Sequence, residues 1–289
     1  MDIIDELKAI FRQGSVVIKL IYINVAVFLI VNIVYLFFTL FKINGFSFIS
    51  FLAVPSDVGV LFHKPWSLFT YMFYHEEILH ILFNLLWLFW FGKIFLEFLD
   101  SKKLLSLYIF GGLSGAALFI LFFNIFPAFQ SQIGAPMLGA SAAIMAIVIA
   151  ISFYVPNYEV YLLFLGRIKL KYIALVSIIL DIILIRYENA GGHIAHLGGA
   201  LYGYLYITQL KKGKDIVRGY ISIFDGIAKW FKPKKKMNVS CKRPVDDFEY
   251  NKSKFDKQKE IDRILDKIAK GGYDSLTKDE KDFLFRSSK

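Results

Sequence analysis

Six apolar runs separated by polar connections organise this chain. They cover residues 20–41, 78–95, 104–126, 139–155, 172–185 and 193–210. Several approach the roughly 20 residues that a helix needs to cross a hydrocarbon core. Lipid offers no partner to an open backbone, so the runs are predicted to be helices. The expected fold class is an all-α membrane protein, a bundle of six transmembrane helices.

The polar positions mark what lies between the runs. Residues 1–14 interleave Asp2, Asp5, Glu6, Lys8 and Arg12 with apolar residues, which predicts an interfacial helix. The connection 42–77 is long enough to suggest a function of its own. Its Trp66, Phe69, Tyr71 and Phe73 suit a membrane interface. The connection 127–138 carries no charge, whereas the loop before the fifth run carries Glu159, Arg167, Lys169 and Lys171.

After Lys214 the pattern changes. Residues 220–231 are amphipathic and end on Trp230 and Phe231. A basic patch follows, Lys232, Lys234, Lys235 and Lys236, broken only by Pro233. A helix lying on the membrane surface is predicted there. Residues 244–254 read as a linker. Ile261, Ile264, Leu265 and Ile268 then follow helical spacing, and Gly271-Gly272 stops the helix. Thr277 and Glu280 form a capping box for a last helix to about Arg286. The domains expected are an interfacial segment (1–14), a six-helix membrane domain (15–212), a basic juxtamembrane segment and linker (213–253), and a helical hairpin (254–289). The hairpin is too small to be stable alone.

Composition agrees with a membrane. Of 289 residues 56% are hydrophobic, and the mean hydropathy is +0.53. The net charge of +10 sits mostly outside the apolar runs. It therefore reads as loops and tail facing an anionic leaflet, not as nucleic-acid binding. A single cysteine, Cys241, excludes a disulfide within the chain. No cleavable signal peptide is expected, because the first apolar run is too long for one. Lys8, Arg12, Lys19, Lys93, Lys102, Lys103, Arg167, Lys169, Lys171, Lys211, Lys212 and Lys214 fall on one side of the bundle. Only Lys42, Lys64 and Arg186 fall on the other. The charge rule places both termini in the cytoplasm.

With that orientation, runs two, four and six all travel inward from the outer face. His80 and Asn84 lie early in run two, Ser141 in the first turn of run four, and His196 early in run six. At 1.5 Å per residue all four fall within roughly 10 Å of the outer helix ends. A serine needs a base within reach to act as a nucleophile, and intramembrane histidines are costly enough to be functional by default. His80 and Asn84, four residues apart, share a face on which they can stabilise an oxyanion together with the Ser141 N–H. His196, Gly199 and Gly203 share a face, and Ala142, Ala146 and Ala150 form a small stripe beside Ser141. Gly139 precedes the serine, and Gly111 and Gly115 add small-xxx-small spacing to run three. Such faces let helix backbones approach closely. His75 and His193 are expected at the interface. Asp181 in run five is expected to partner a polar group, with orientation of His196 as the lesser alternative. Metal or haem ligation by His75, His80, His193 and His196 is a rival reading. It is weakened because all four cluster toward the outer rim.

The residues Pro65-Trp66, the stretch from His75 through His80 to Asn84, Gly139-Ala140-Ser141-Ala142, and Ala195-His196-Leu197-Gly198-Gly199 with Gly203 together resemble the rhomboid family of intramembrane serine proteases, most clearly over residues 65–210. The resemblance implies a bacterial-type member in the cytoplasmic (inner) membrane, with a six-helix core and a soluble tail. It implies a Ser141–His196 dyad without an acid, an oxyanion hole at His80 and Asn84, and no cofactor. The implied substrates are transmembrane helices of membrane proteins, cut near the outer face, with the lipid bilayer as the other partner. The tail's partner is unknown. Three positions depart from the family pattern: Ala142 replaces a glycine, Ser67 an arginine, and Met145 an aromatic residue that would stack on His196. A non-catalytic relative that binds membrane helices is the alternative function. Loss of Ser141 or His196 would mark it, and both are present.

Overall fold

A computed structural model describes residues 3–43, 45–162, 166–187, 189–216 and 247–287. The chain divides into two compact units, Met1–Phe231 and Lys232–Lys289. The amphipathic stretch 220–231, the basic patch and Cys241 lie outside the described residues.

The first unit opens with α1 (Ile3–Gln13) and α2 (Val16–Leu40), the latter capped by the Ser15 hydroxyl on the Ile18 N–H. The connection that follows is folded, not open. It contains α3 (Phe48–Leu52), β1 (Val54–Pro55), α4 (Val58–His63), α5 (Ser67–Thr70) and a 3₁₀ turn at Tyr71–Phe73. Next come α6 (Ile78–Phe98), α7 (Ser101–Ile125), a 3₁₀ turn (Pro127–Gln132), β2 (Pro136–Met137) and α8 (Ser141–Tyr154). A hairpin of β3 (Glu159–Leu162) and β4 (Gly166–Lys169) leads to α9 (Leu170–Leu184) and α10 (Ala190–Lys211). The loop expected around Glu159 and Lys169 is thus a paired ribbon in which those two residues face each other.

Each apolar run is occupied by a helix, but the helices are not equivalent. Among the described residues three are long and apolar enough to cross a membrane: α2, α6 and α7. The 22-residue α10 exchanges apolarity for glycines and two histidines. The 14-residue α8 is only about 21 Å long at 1.5 Å per residue. The turn ahead of it is buried yet not helical, and its backbone is satisfied by protein. The Gly139 N–H donates to the Tyr71 carbonyl at 2.9 Å, and the Ala140 N–H to His75 Nε2 at 3.3 Å. Irregular backbone inside a membrane protein requires such partners.

α8 is the hub of the core. Ala142, Ala143, Ala146, Ile147, Val148 and Ala150 are all buried on it. A Cβ added at Gly199 on α10 would lie 2.0 Å from the Ala142 carbonyl oxygen, and one at Gly203 would lie 2.3 Å from that of Ala146. On α7, a Cβ at Gly115 would meet Ala142 Cβ at 2.6 Å and the Ala195 carbonyl oxygen at 2.8 Å. Three helices therefore meet with backbone against backbone, the result that the small stripes predict.

The folded connection is stitched to the segment before α8. β1 and β2 pair antiparallel, Val54 with Met137 and Pro55 with Pro136. The Ser56 N–H donates to the Ala135 carbonyl at 3.1 Å, and the Asn124 amide donates to the Ser56 carbonyl at 2.7 Å. Two expectations are corrected here. Tyr71 is not an interfacial aromatic: it is 1% exposed, and its phenol donates to the Gly112 carbonyl at 2.6 Å. His75 is not interfacial either, being fully buried beneath the turn that precedes Ser141. Trp66 and Phe69 do remain exposed.

In the second unit, α11 (Asp247–Gly271) and α12 (Lys278–Ser287) are joined by a turn at Tyr273–Ser275. α11 ends at Gly272, whose φ of +71° suits glycine. The helix starts at Asp247, so residues 247–254 are not a linker. Their charged residues are poor core formers but adequate helix formers. Glu280 accepts from the Thr277 N–H at 2.8 Å, and its own N–H donates to the Thr277 hydroxyl at 3.4 Å, closing the capping box. Glu280 also pairs with Lys267 at 2.9 Å and Arg263 at 3.1 Å.

Candidate active site

Ser141 is the first residue of α8. Its backbone N–H belongs to the first turn, where N–H groups lack helical partners and the helix dipole is positive. Gly139 sets up this position. Its φ of +108° lies in the left-handed region, and an added Cβ would come within 2.8 Å of the His80 ring. Glycine is therefore required twice over, for the backbone conformation and for the ring that packs on it.

α6 brings His80 and Asn84 to the same place, and α10 brings His196. Ser141, His80, Asn84 and His196 line one cavity of about 430 Å³. Its walls are largely apolar, with Phe83, Trp87, Met145, Leu180 and Leu184 among them. Ser141, His80 and His196 are half-buried, whereas Asn84 is buried. One of the Asn84 amide hydrogens is already committed to the His80 carbonyl at 2.8 Å. Among the described residues no hydrogen bond joins Ser141 to His196 in this state. Catalytic contacts are often long in a free enzyme and tighten with substrate.

His75 and His80 stand with ring centres 5.1 Å apart. Burial, with His80 nearby, holds His75 well below the usual imidazole range, at about 4. It is therefore neutral at physiological pH, and its Nε2 is free to accept the Ala140 N–H. This supporting role follows from three-dimensional packing, and the sequence around His75 gave no signal of it.

The fifth run contributes more than expected. Asp181, in the last turns of α9, is buried. Its Oδ1 lies 2.8 Å from Nδ1 of His196 and 2.8 Å from Nδ1 of His193. His193 is thus a partner of Asp181. Two nitrogens on one oxygen is the arrangement of an acceptor receiving two N–H hydrogens. The short connection from α9 to α10, with the Asn189 side chain capping the Gly192 N–H at 3.2 Å, brings the three residues together. The signal in the sequence was a lone intramembrane carboxylate followed by histidines three residues apart.

Among the described residues, Asp181, His193 and His196 also form a group able to hold a metal ion, with ligand atoms within 4.8 Å of one another. In this structure both Nδ1 atoms are directed at the carboxylate oxygen itself, so hydrogen bonding is the use that the geometry displays.

Comparison with known proteins follows the same outline. A family of unknown function, DUF6576, matches residues 245–289, the helical hairpin. RHOMBOID-like protein 12, mitochondrial, from Arabidopsis thaliana is 31% identical over 159 residues, which cover 51% of this chain and 47% of that protein. Presenilin-associated rhomboid-like protein A, mitochondrial, from Danio rerio is 29% identical over 141 residues, covering 47% of this chain and 35% of the relative. The chain spans less than half the length of either relative. Both carry mitochondrial names, which gives no support to the expected bacterial membrane. The Rhomboid domain model matches residues 63–212, a stretch that begins just before α5, ends just after α10 and holds every residue of the cavity, and on this match the chain belongs to the rhomboid family.

Proposed function

We propose that this chain is an intramembrane serine endopeptidase that cleaves transmembrane segments of other membrane proteins. The observation that carries the reading is the cavity itself, where a helix-start serine, a histidine from a second helix and two polar groups from a third converge. In the proposed reaction Ser141 Oγ attacks a peptide carbonyl carbon while His196 Nε2 takes its proton. The carbonyl oxygen becomes an oxyanion, stabilised by the Ser141 N–H, His80 and the free Asn84 amide hydrogen. Collapse breaks the peptide C–N bond, and His196 returns the proton to the leaving amine. Water, activated by His196 in turn, then hydrolyses the acyl-enzyme and restores Ser141.

The finer architecture belongs to the same proposal. α2, α6, α7, α8, α9 and α10 form a six-span bundle, with both termini on the side rich in lysine and arginine. The active site then lies toward the opposite face, where water can enter. No cofactor is required by this chemistry. The test is a fluorophosphonate probe on purified protein, together with cleavage of a model transmembrane substrate. Wild type is expected to be labelled at Ser141 and to cleave. Ser141→Ala should lose both activities, and His196→Ala should lose cleavage while remaining folded. Substantial cleavage by either variant overturns the mechanism.

A further inference from the structure

A general base must do more than sit near its nucleophile. Its accepting nitrogen must be free of hydrogen and the ring must be fixed. Neither follows from placing a histidine on a helix, because an imidazole can turn and can carry its proton on either nitrogen. In this molecule the Nδ1 atom of His196 is held 2.8 Å from Asp181 Oδ1. Asp181 comes from α9, a different helix from those bearing His196 and Ser141.

Its surroundings are unusual for a carboxylate. Its side chain is only 7% exposed, and its Oδ2 has no hydrogen-bond partner among the described residues. A carboxylate in such a place is costly unless it is paired. The cost is offset at a single oxygen by two imidazole N–H groups, those of His193 and His196.

We propose that Asp181 is the positioning residue for His196, so that the reaction runs on a serine, histidine and aspartate from α8, α10 and α9. The aspartate accepts the Nδ1 hydrogen of His196, which leaves Nε2 unprotonated and directed into the cavity. When Nε2 takes the serine proton, the imidazolium stays hydrogen-bonded to the carboxylate, which balances its charge without receiving the proton. His193 donates to the same oxygen, a second tie that fixes the carboxylate in place. A purely structural tie between α9 and α10 needs only a hydrogen bond and would be content with an amide. Orientation of a base needs an obligate acceptor, which a carboxylate is and an amide is not.

The inference rests on the protease reading, and the experiment separates the two. Wild type, Asp181→Asn and Asp181→Glu are purified in detergent and compared for fluorophosphonate labelling at Ser141 and for kcat and KM on a model transmembrane substrate. The comparable Asp→Asn change in a soluble serine protease lowers kcat about 10⁴-fold. Here Asp181→Asn is expected to lower kcat by roughly 10²-fold or more, with KM within about threefold. Asp181→Glu should recover part of the loss. Nitrogen-15 histidine spectra of wild type supply a measurement that does not depend on a variant folding. They should show His196 as the Nδ1–H tautomer.

An active wild type whose Asp181→Asn variant turns over within threefold overturns the inference and leaves the dyad intact. So does an Nε2–H tautomer of His196 in wild type, or one equivalent of bound zinc whose chelation raises activity. A wild type that neither labels nor cleaves overturns the protease reading and this inference with it.

Discussion

At the scale of single residues the cavity depends on a few atoms that tolerate no replacement. One amide hydrogen of Asn84 is bonded to the His80 carbonyl, and in the proposed reaction the other serves the oxyanion. Asn84→Ala should therefore lower kcat by about 10²–10³-fold with little change in KM, the loss typical of one oxyanion donor. Turnover within a few-fold of wild type would assign that role to another group. Gly139→Ala places a Cβ on a left-handed backbone and against His80, and is expected to lower both thermal stability and turnover. His75 gives a pH signature. Burial holds its pKa at about 4 against an ordinary 6.5, so between those values the folded protein binds fewer protons than the unfolded chain. Its contribution to stability is complete above 6.5 and lost as the pH falls toward 4. Thermal unfolding across that window should show the loss, and His75→Gln should flatten it. That Ser141, His196, His80 and Asn84 meet at one cavity was legible in the sequence, because they sit near the starts of three apolar runs, His80 and Asn84 sharing one. The contact of His75 with the Ala140 N–H was not, and the pairing of Asp181 with His196 was only the lesser of two expectations, since separation along the chain says nothing about distance.

At the scale of elements, the meeting of α7, α8 and α10 was readable from glycine and alanine spacing, and the two-stranded pairings were not. β1 and β2 are two residues each, too short to show alternation, and each is defined only by the other. Their pairing gives the long connection before α6 a structural role: it ties that connection to the segment leading into Ser141. Gly203→Val tests the helix meeting. Its side chain would press on the backbone carbonyl of Ala146, which cannot move to another rotamer, so one helix must shift. Overpacking of this kind costs about 1–3 kcal/mol. The variant should melt earlier and cleave more slowly, and an unchanged melting temperature would mean that α10 shifts away without cost.

At the scale of the whole molecule, the residues proposed to carry the chemistry all come from α6, α8 and α10 in the first unit. Truncation after Lys236 should leave cleavage of a model substrate in detergent intact. A truncated protein that labels at Ser141 but no longer cleaves would give the hairpin a part in substrate entry. The turn before Ser141 and the helical hairpin are tied by different groups. The turn before Ser141 is fixed by neutral groups: the Tyr71 carbonyl, the His75 ring and strand β1. In the hairpin, beside the buried Ile264 and Leu276, Glu280 is shared between Lys267 and Arg263. Ionic strength should therefore act on one unit and spare the other. At 1 M salt, charges are screened beyond about 3 Å. Amide hydrogens of the hairpin should then exchange faster while the rate of substrate cleavage holds steady, so that dissolved salt alone can loosen the tail of an intact, working molecule.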